Sequence, residues 1–250
     1  MHILLTNDDG IRAPGLKALF HALKKKNTVS VVAPDREKSA TSHRLTIHDP
    51  LRAFPFNDGI EGFAINGTPV DCIKLGISQL LSQKPDWVVS GINPGANTGF
   101  NVFYSGTVAA AREAASMWIP SIAVSIAMGP SIDYEGAAEY INHLIEKLSK
   151  QILPAGTLFN INFPPCPVNK TKGMKFVSQA IYHLYDTYEI RKDPRQVKYY
   201  WIGDEKFPVT RECSTDFGAI ENNFIAITPL TIDTTDNDFF NQMKHWGWDH

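Results

Sequence analysis

Cysteine is scarce in this chain of 250 residues, which has only Cys72, Cys166 and Cys213. They are odd in number and widely spaced, and no Cys-x-x-Cys pair occurs, which argues against a disulfide framework and a zinc ribbon. Reduced, buried thiols are the expected state. No apolar run approaches the roughly 18 residues that a membrane-spanning helix needs. Nor does a basic stretch followed by a short apolar one stand near the start, so a cytoplasmic protein without membrane contact is expected. An excess of one charge is also missing, since 24 Lys and Arg stand against 26 Asp and Glu. With no basic block and no basic–aromatic stripe, a long nucleic acid is not expected as the main partner, whereas a small anion held by local groups remains open. Low-complexity tracts and internal repeats are absent, and the length is ample for a full core.

What is present begins with His2-Ile-Leu-Leu-Thr-Asn-Asp-Asp-Gly10. Ile3-Leu4-Leu5 reads as a short buried strand that runs out into two adjacent carboxylates, Asp8 and Asp9. Neighbouring strand side chains point to opposite faces, so the two converge only where the chain turns, and Gly10 supplies that freedom. Two carboxylates held close repel unless one takes a proton or a cation sits between them. Hard oxygen donors of this kind suit Mg²⁺, Mn²⁺ or Ca²⁺. A plain polar turn accounts for the same residues when they are taken alone.

Pro14 suits a first helical turn, and Leu16, Leu19, Phe20 and Leu23 follow helical spacing up to Lys24-Lys25-Lys26. Thr28 to Ala33 is the next strand, stopped by Pro34. Strand, helix and strand in so short a span make a right-handed parallel βαβ unit. No Gly-x-Gly-x-x-Gly joins the first strand to its helix, so this is not the dinucleotide fingerprint. The expected fold class is α/β, with a mainly parallel sheet. The second strand opens into the polar loop Asp35 to His43, which carries Ser39, Thr41 and Ser42 beside Arg36, Lys38 and Arg44. A loop of this composition is ordinarily just surface, but it leaves the sheet edge that carries Asp8 and Asp9, where ligands gather in open parallel sheets. Residues 44–66 read as a small β excursion. Thr68-Pro69-Val70-Asp71 reads as a capping box opening a helix whose buried face is Val70, Ile73, Ile77, Leu80 and Leu81.

Pro85 to Ile92 is another buried strand, ending in Asn93-Pro-Gly-Ala-Asn-Thr-Gly99. Its glycines permit close backbone approach to a ligand, and Asn93 and Asn97 offer amide groups. A small-residue helix follows near Tyr104-Ser-Gly-Thr107, where Ser105 or Thr107 is placed to cap and the free N–H groups favour a phosphate. Three polar strand ends on one edge tip the balance from turns towards a site. Further elements are a strand at Ser121–Ile126, a helix from Tyr134 to about Lys150, and a strand at Leu158–Phe163. Residues 182–189 and 197–202 read as an aromatic hairpin about the turn 192–195, suited to gripping a second subunit. A late strand at 224–228 and a tail with Phe239, Phe240, Trp246 and Trp248 complete the chain.

Together these stretches resemble the SurE (survival protein E) nucleotidases, metal-dependent phosphatases acting on nucleoside monophosphates. The resemblance is carried by Ile-Leu-Leu-Thr-Asn-Asp-Asp-Gly10, Ala-Pro-Asp-Arg36 with Ser39, and Asn66-Gly-Thr-Pro-Val-Asp-Cys72. It continues through Ser90-Gly-Ile-Asn93, Tyr104-Ser-Gly-Thr-Val-Ala-Ala-Ala111, Thr215-Asp216 and Thr228-Pro-Leu230, in family order over nearly the whole chain. It implies one divalent cation per subunit, Mg²⁺ or Mn²⁺, on Asp8, Asp9, Ser39 and Asn93. Asp8 and Asp9 are the catalytic pair, and Asn97, Ser105, Gly106 and Thr107 hold the substrate phosphate. It further implies hydrolysis of 5′- and 3′-nucleoside monophosphates, with short polyphosphate as an additional substrate. The implied architecture is a Rossmann-like catalytic core over residues 1–170 and a β-rich extension over 171–250 used to form a homodimer or homotetramer, with the strand at 224–230 returning to the core. Departures from the family pattern are Ser39-Ala-Thr-Ser42 for Ser-Gly-Ala-Ser, Phe100-Asn101 where acidic residues are frequent, and Ala96 where Pro is usual. None removes a metal ligand.

His43 and Arg44 are candidates for contact with the base or leaving group, and an exposed loop explains them equally well. Phosphatases that form an aspartyl-phosphate need a second Asp two positions on, where this chain has Gly10. A receiver domain needs a phospho-accepting Asp where Asn93 stands. A nucleotide-binding regulator without turnover is the remaining alternative.

Overall fold

The computed structural model describes the chain except residues 131, 182–186, 204–211, 247 and 249–250. β1 (His2–Thr6) is apolar on both faces, and Ile3, Leu4 and Leu5 are fully buried. A strand with no solvent face requires helices on both sides, and the alternation shows which goes where. Ile3 and Leu5 pack into one core layer, and Leu4 into another.

α1 (Pro14–Leu23) starts on Pro14 at its first position, as the sequence suggests, and returns the chain to β2 (Thr28–Pro34), parallel to β1. The excursion at 44–66 is a hairpin, β3 (Ala53–Asn57) and β4 (Glu61–Ile65), with β4 lying parallel along the end of β2. α2 (Pro69–Leu75) opens with the expected capping box. Thr68 Oγ1 accepts from Asp71 N at 3.2 Å, and Asp71 Oδ2 accepts from Thr68 N at 2.8 Å. Its end departs from expectation. The helix widens into a π-type turn at Gly76–Leu80, so Ile77, Leu80 and Leu81 are only half-buried at the rim of their core layer.

β5 (Trp87–Pro94) lies on the other side of β1 and parallel to it. α3 (Asn101–Tyr104), α4 (Gly106–Ser116), β6 (Ser121–Ile126), α5 (Tyr134–Leu148) and β7 (Leu158–Phe163) follow, extending the parallel sheet outward. α1 and α5 cover one face; α2 and α4 cover the other. Beyond β7 come β8 (Met174–Phe176), β9 (Tyr188–Lys192), β10 (Lys198–Ile202), α6 (Asp216–Glu221), β11 (Ile225–Leu230) and α7 (Asn237–Lys244). β11 adds antiparallel to β7, and β8 lies parallel to β11. The nine-stranded order is β3-β4-β2-β1-β5-β6-β7-β11-β8.

The aromatic hairpin exists as β9 and β10, antiparallel, with Asp193 Oδ1 accepting from Arg195 N and Val197 N at the turn. Its first strand is 188–192 rather than 182–189, and 182–186 lie outside the described residues. Of the three free cysteines only Cys72 is buried; Cys166 and Cys213 are half-exposed, which corrects the expectation that all are buried. Among the described residues no helix is long and apolar enough to cross a membrane.

The strand order reverses at β1. The chain leaves β1 on one side to form β2 and later returns on the other side as β5. The crevice outside the carboxyl ends of β1 and β5 is therefore the switch point where open α/β sheets bind ligands. The Thr68 cap stands beside it, because Thr68 Oγ1 also donates to Arg44 O at 2.7 Å and so ties the polar loop to α2. Thr68→Ala removes both interactions and is expected to lower unfolding free energy by about 1–2 kcal/mol, read from urea denaturation midpoints at unchanged slope.

Candidate active site

β1 delivers Asn7, Asp8 and Asp9 to the switch point. Asn7 Nδ2 donates to Gly10 O at 2.9 Å, bracing the turn, and Gly10 adopts φ +98° with its Cα against the backbone of Arg36, where a Cβ would meet atoms at 3.0 Å. Asp8 is 5% exposed. Thr107 Oγ1 donates to its Oδ1, and Lys38 N donates to its backbone carbonyl at 2.7 Å. Burial raises the Asp8 carboxyl above its ordinary range, and the Thr107 hydroxyl and backbone pull it partly back. Asp9 is half-buried, and its Oδ2 is buried with no hydrogen-bond donor among the described residues. Burial first, then the charges of Asp8 and Glu37, push Asp9 up to about 7.

α4 arrives from the opposite side. Ser105 caps it, its Oγ accepting from Val108 N at 3.1 Å, so of the two candidates Ser105 is the cap. Thr107 instead turns its hydroxyl to Asp8. Gly106 lies against the same carboxylate: a Cβ there would sit 2.9 Å from Asp8 Cβ and 3.0 Å from its Oδ2. Any side chain at this position collides with the site. Asp8, Gly106 and Thr107 are therefore in direct contact at a helix N-terminus, where the free amide ends favour negative charge.

The other residues named from sequence are placed differently. Ser39 is exposed and its hydroxyl donates to Glu37 Oε1 at 2.6 Å. Asn93, half-buried, donates from Nδ2 to Gly95 O at 2.7 Å, which commits the amide nitrogen and leaves Oδ1 for a ligand. Asn97 is buried in a network across the sheet. Its Nδ2 donates to Ser125 Oγ at 2.8 Å, its backbone N to Asn162 Oδ1 at 2.8 Å, and its carbonyl accepts from Asn160 Nδ2 at 2.7 Å.

Several supporting residues were not named as site residues from the sequence. Asn160 and Asn162 sit inside a strand that reads as simply buried. Asp216, fully buried on α6, accepts from Gly99 N and Ala180 N at 2.9 Å each and so pins the end of the 93–99 loop. Glu113 on α4 binds His43 Nε2 at 2.8 Å and Lys74 Nζ at 2.9 Å, and these partners, His43 foremost, hold its carboxyl below the ordinary range. His43 thus has a structural anchor. Ser42 completes the attachment, with its N and Oγ donating to the carbonyls of Tyr104 and Phe103 at 3.1 and 2.5 Å.

The donors fit a hard divalent cation. Asp9 Oδ2 is buried without a donor, beside a second carboxylate, and a positive charge there satisfies both. Among the described residues no group of three or more His, Cys, Asp or Glu side chains gathers, so a cation would also draw on hydroxyl and amide oxygens, as hard ions do. A concavity of about 780 Å³ lies instead at the opposite ends of β1 and β2, lined by His2, Thr28 and Phe20 among others, and neither Asp8 nor Asp9 is in its lining.

An open, mainly parallel sheet covered by helices on both faces, with paired carboxylates and a helix start at its switch point, defines an α/β protein with its candidate site at the carboxyl ends of the strands. The comparisons narrow the class. Residues 3–186 match the family model described as "Survival protein SurE". The chain is 47% identical over 248 residues to a "5′-nucleotidase SurE" of Desulfatibacillum aliphaticivorans, covering 98% of each, and 44% identical to one of Carboxydothermus hydrogenoformans, covering 98% of this chain and 96% of that protein. Its fold superposes on the crystal structure of a SurE protein from Aquifex aeolicus with a TM-score of 0.87 at 36% identity, over 98% of this chain and 99% of that one. The chain belongs to the SurE family.

Because the fold raises Asp9 from 3.8 to about 7, it favours the protonated carboxyl. The associated stability is full below the unfolded value and lost as pH rises through the folded one. Metal-stripped protein should therefore show a melting temperature that falls between pH 5 and pH 8, and Asp9→Asn should flatten that slope, as read by scanning calorimetry.

Proposed function

We propose that this protein is a metal-dependent phosphatase that hydrolyses nucleoside 5′-monophosphates to nucleoside and phosphate, with 3′-monophosphates and short polyphosphate as further substrates. The observation that carries the reading is the buried Asp9 Oδ2, without a donor among the described residues, beside an Asp8 that is bonded to Thr107 at the start of α4. The relatives' name, 5′-nucleotidase SurE, supports the ester class.

In this reading Asp8, Asp9, Ser39 and Asn93 hold one divalent cation, Mg²⁺ or Mn²⁺. When bound it supplies Lewis acidity toward the phosphoryl group and neutralises the carboxylates. Asp8 is kept in orientation by Thr107. Asp9, whose Oδ2 has no hydrogen-bond donor among the described residues, is the carboxylate placed to take the proton of the attacking water. Ser105, Gly106 and Thr107 with Asn97 orient the phosphoryl oxygens, and the helix start faces the charge that builds on them in the transition state. Ser39 donates to Glu37 in this structure and must leave it to join the donor set.

The protein is proposed to act in the cytoplasm as a homodimer or homotetramer. The exposed aromatics of β9, β10 and α7, including Tyr188, Tyr200, Trp201 and Phe239, give that assembly a surface to cover.

Phosphate release from a panel of 5′- and 3′-nucleoside monophosphates, with metal-stripped protein and after adding Mg²⁺ or Mn²⁺, tests the reading. Release should require the metal and fall by about 10³-fold or more in Asp9→Ala. Nucleotide binding with no release under any metal would identify a non-hydrolytic regulator instead.

A further inference from the structure

Near the acidic pair lies a second concavity of about 360 Å³ lined by Arg36, Lys38, Arg44 and Arg52, with Asp49 as the one carboxylate in the lining. In a chain of net charge −2 this is a local arrangement and not a consequence of overall basicity. The cations are also unspent. Among the described residues, the only ion pair any of the four makes is a long one, Arg36 Nε to Asp35 Oδ1 at 3.8 Å. Crowding like charges without carboxylate partners is unfavourable unless an anion relieves it.

The frame around these side chains is fixed in advance. Arg44 O accepts from Thr68 Oγ1 at 2.7 Å, Arg52 N donates to Asn66 Oδ1 at 2.7 Å, and Lys38 N donates to Asp8 O at 2.7 Å. Thr46 N donates to Asp71 Oδ1 at 3.0 Å, tying the intervening segment to α2. The backbone under the cations is thus ordered by folding and not by the ligand.

The pocket adjoins the candidate catalytic site. Lys38 belongs to both, through its side chain in the pocket and its amide on Asp8. Thr41, on the pocket wall, lies 3.2 Å from where a Cβ on Gly106 would stand, and that point is 2.9 Å from Asp8 Cβ. No aromatic side chain lines the pocket, so it offers no stacking surface for a base. Guanidinium forks with an ammonium group match phosphate oxygens.

We propose that this pocket is a subsite for a second phosphate carried by the same small substrate, so that a nucleotide phosphorylated at two positions is bound with one phosphate at Asp8 and Asp9 and the other among Arg36, Lys38, Arg44 and Arg52. The inference rests on the phosphatase reading of the acidic site.

The test compares a nucleoside 3′,5′-bisphosphate with the matching 5′-monophosphate, in the wild-type protein and in Arg36→Gln/Arg52→Gln. In the wild type kcat/KM should favour the bisphosphate by about tenfold or more, chiefly through KM. The double variant should bring the ratio near one while leaving the monophosphate within about twofold of wild type. A preference that survives in the variant, or no preference in the wild type, overturns the proposal. Calorimetric titration of both nucleotides reads the pocket without turnover. If neither ester is hydrolysed but the bisphosphate binds about tenfold tighter in the wild type only, the phosphatase reading fails and the subsite stands. Orthophosphate that binds the wild type and not the variant, with no gain for the bisphosphate, marks a free-anion site and overturns the substrate assignment.

Discussion

Two carboxylates in consecutive positions, held at the end of a fully buried strand, are the constraint on which the rest of the structure depends. Left to themselves Asp8 and Asp9 repel, and burial makes the repulsion worse by removing water. Their surroundings answer that cost unequally. Asp8 receives the Thr107 hydroxyl and faces the start of α4, while Asp9 keeps an oxygen with no donor. The asymmetry leaves one carboxylate held by a hydroxyl and the other with an oxygen open among the described residues. Gly106 follows from the same constraint, since α4 can reach Asp8 only if the residue at the contact has no side chain.

The loops that complete the site are fastened from outside it. Glu113 gathers His43 and Lys74, joining the polar loop to α2 and α4, and Ser42 adds a bond to each of two carbonyls at the end of α3. Asn160, Asn162 and Ser125, from strands further along the sheet, clamp Asn97, and Asp216 holds Gly99. A rigid scaffold presenting polar loops is the usual way an α/β sheet becomes a site. Glu113, Ser125, Asn160, Asn162 and Asp216 are themselves buried and polar, and their bonds to the loops satisfy them in part, with Asn160 Oδ1 left without a partner among the described residues.

The segment after β7 serves two ends. β8, α6 and β11 widen the sheet and, through Asp216, reach back to the 93–99 loop. β9, β10 and α7 place aromatic side chains in solvent.

What the sequence by itself determined was whatever depends on neighbours in the chain. The βαβ unit, the capping box at Thr68, Pro14 at a helix start and the turn after Asp9 all rest on contacts within a few residues, and each was legible. The resemblance to SurE nucleotidases was legible for a related reason, because short stretches keep their local chemistry in order along the chain. The end of α2 was misjudged because apolar spacing does not reveal a π-type widening at Gly76. The second strand of the hairpin falls where the sequence puts it, whereas the first runs past Glu189 to Lys192 because aromatic, β-rich composition marks a region and not a register. Tertiary structure alone decided that Ser105 caps α4 while Thr107 turns to Asp8, that His43 binds Glu113, and that Arg36, Arg44 and Arg52 share a pocket. Those pairings join residues brought together only by sheet order, and sheet order is set by the summed burial of the core, which no single stretch of sequence contains.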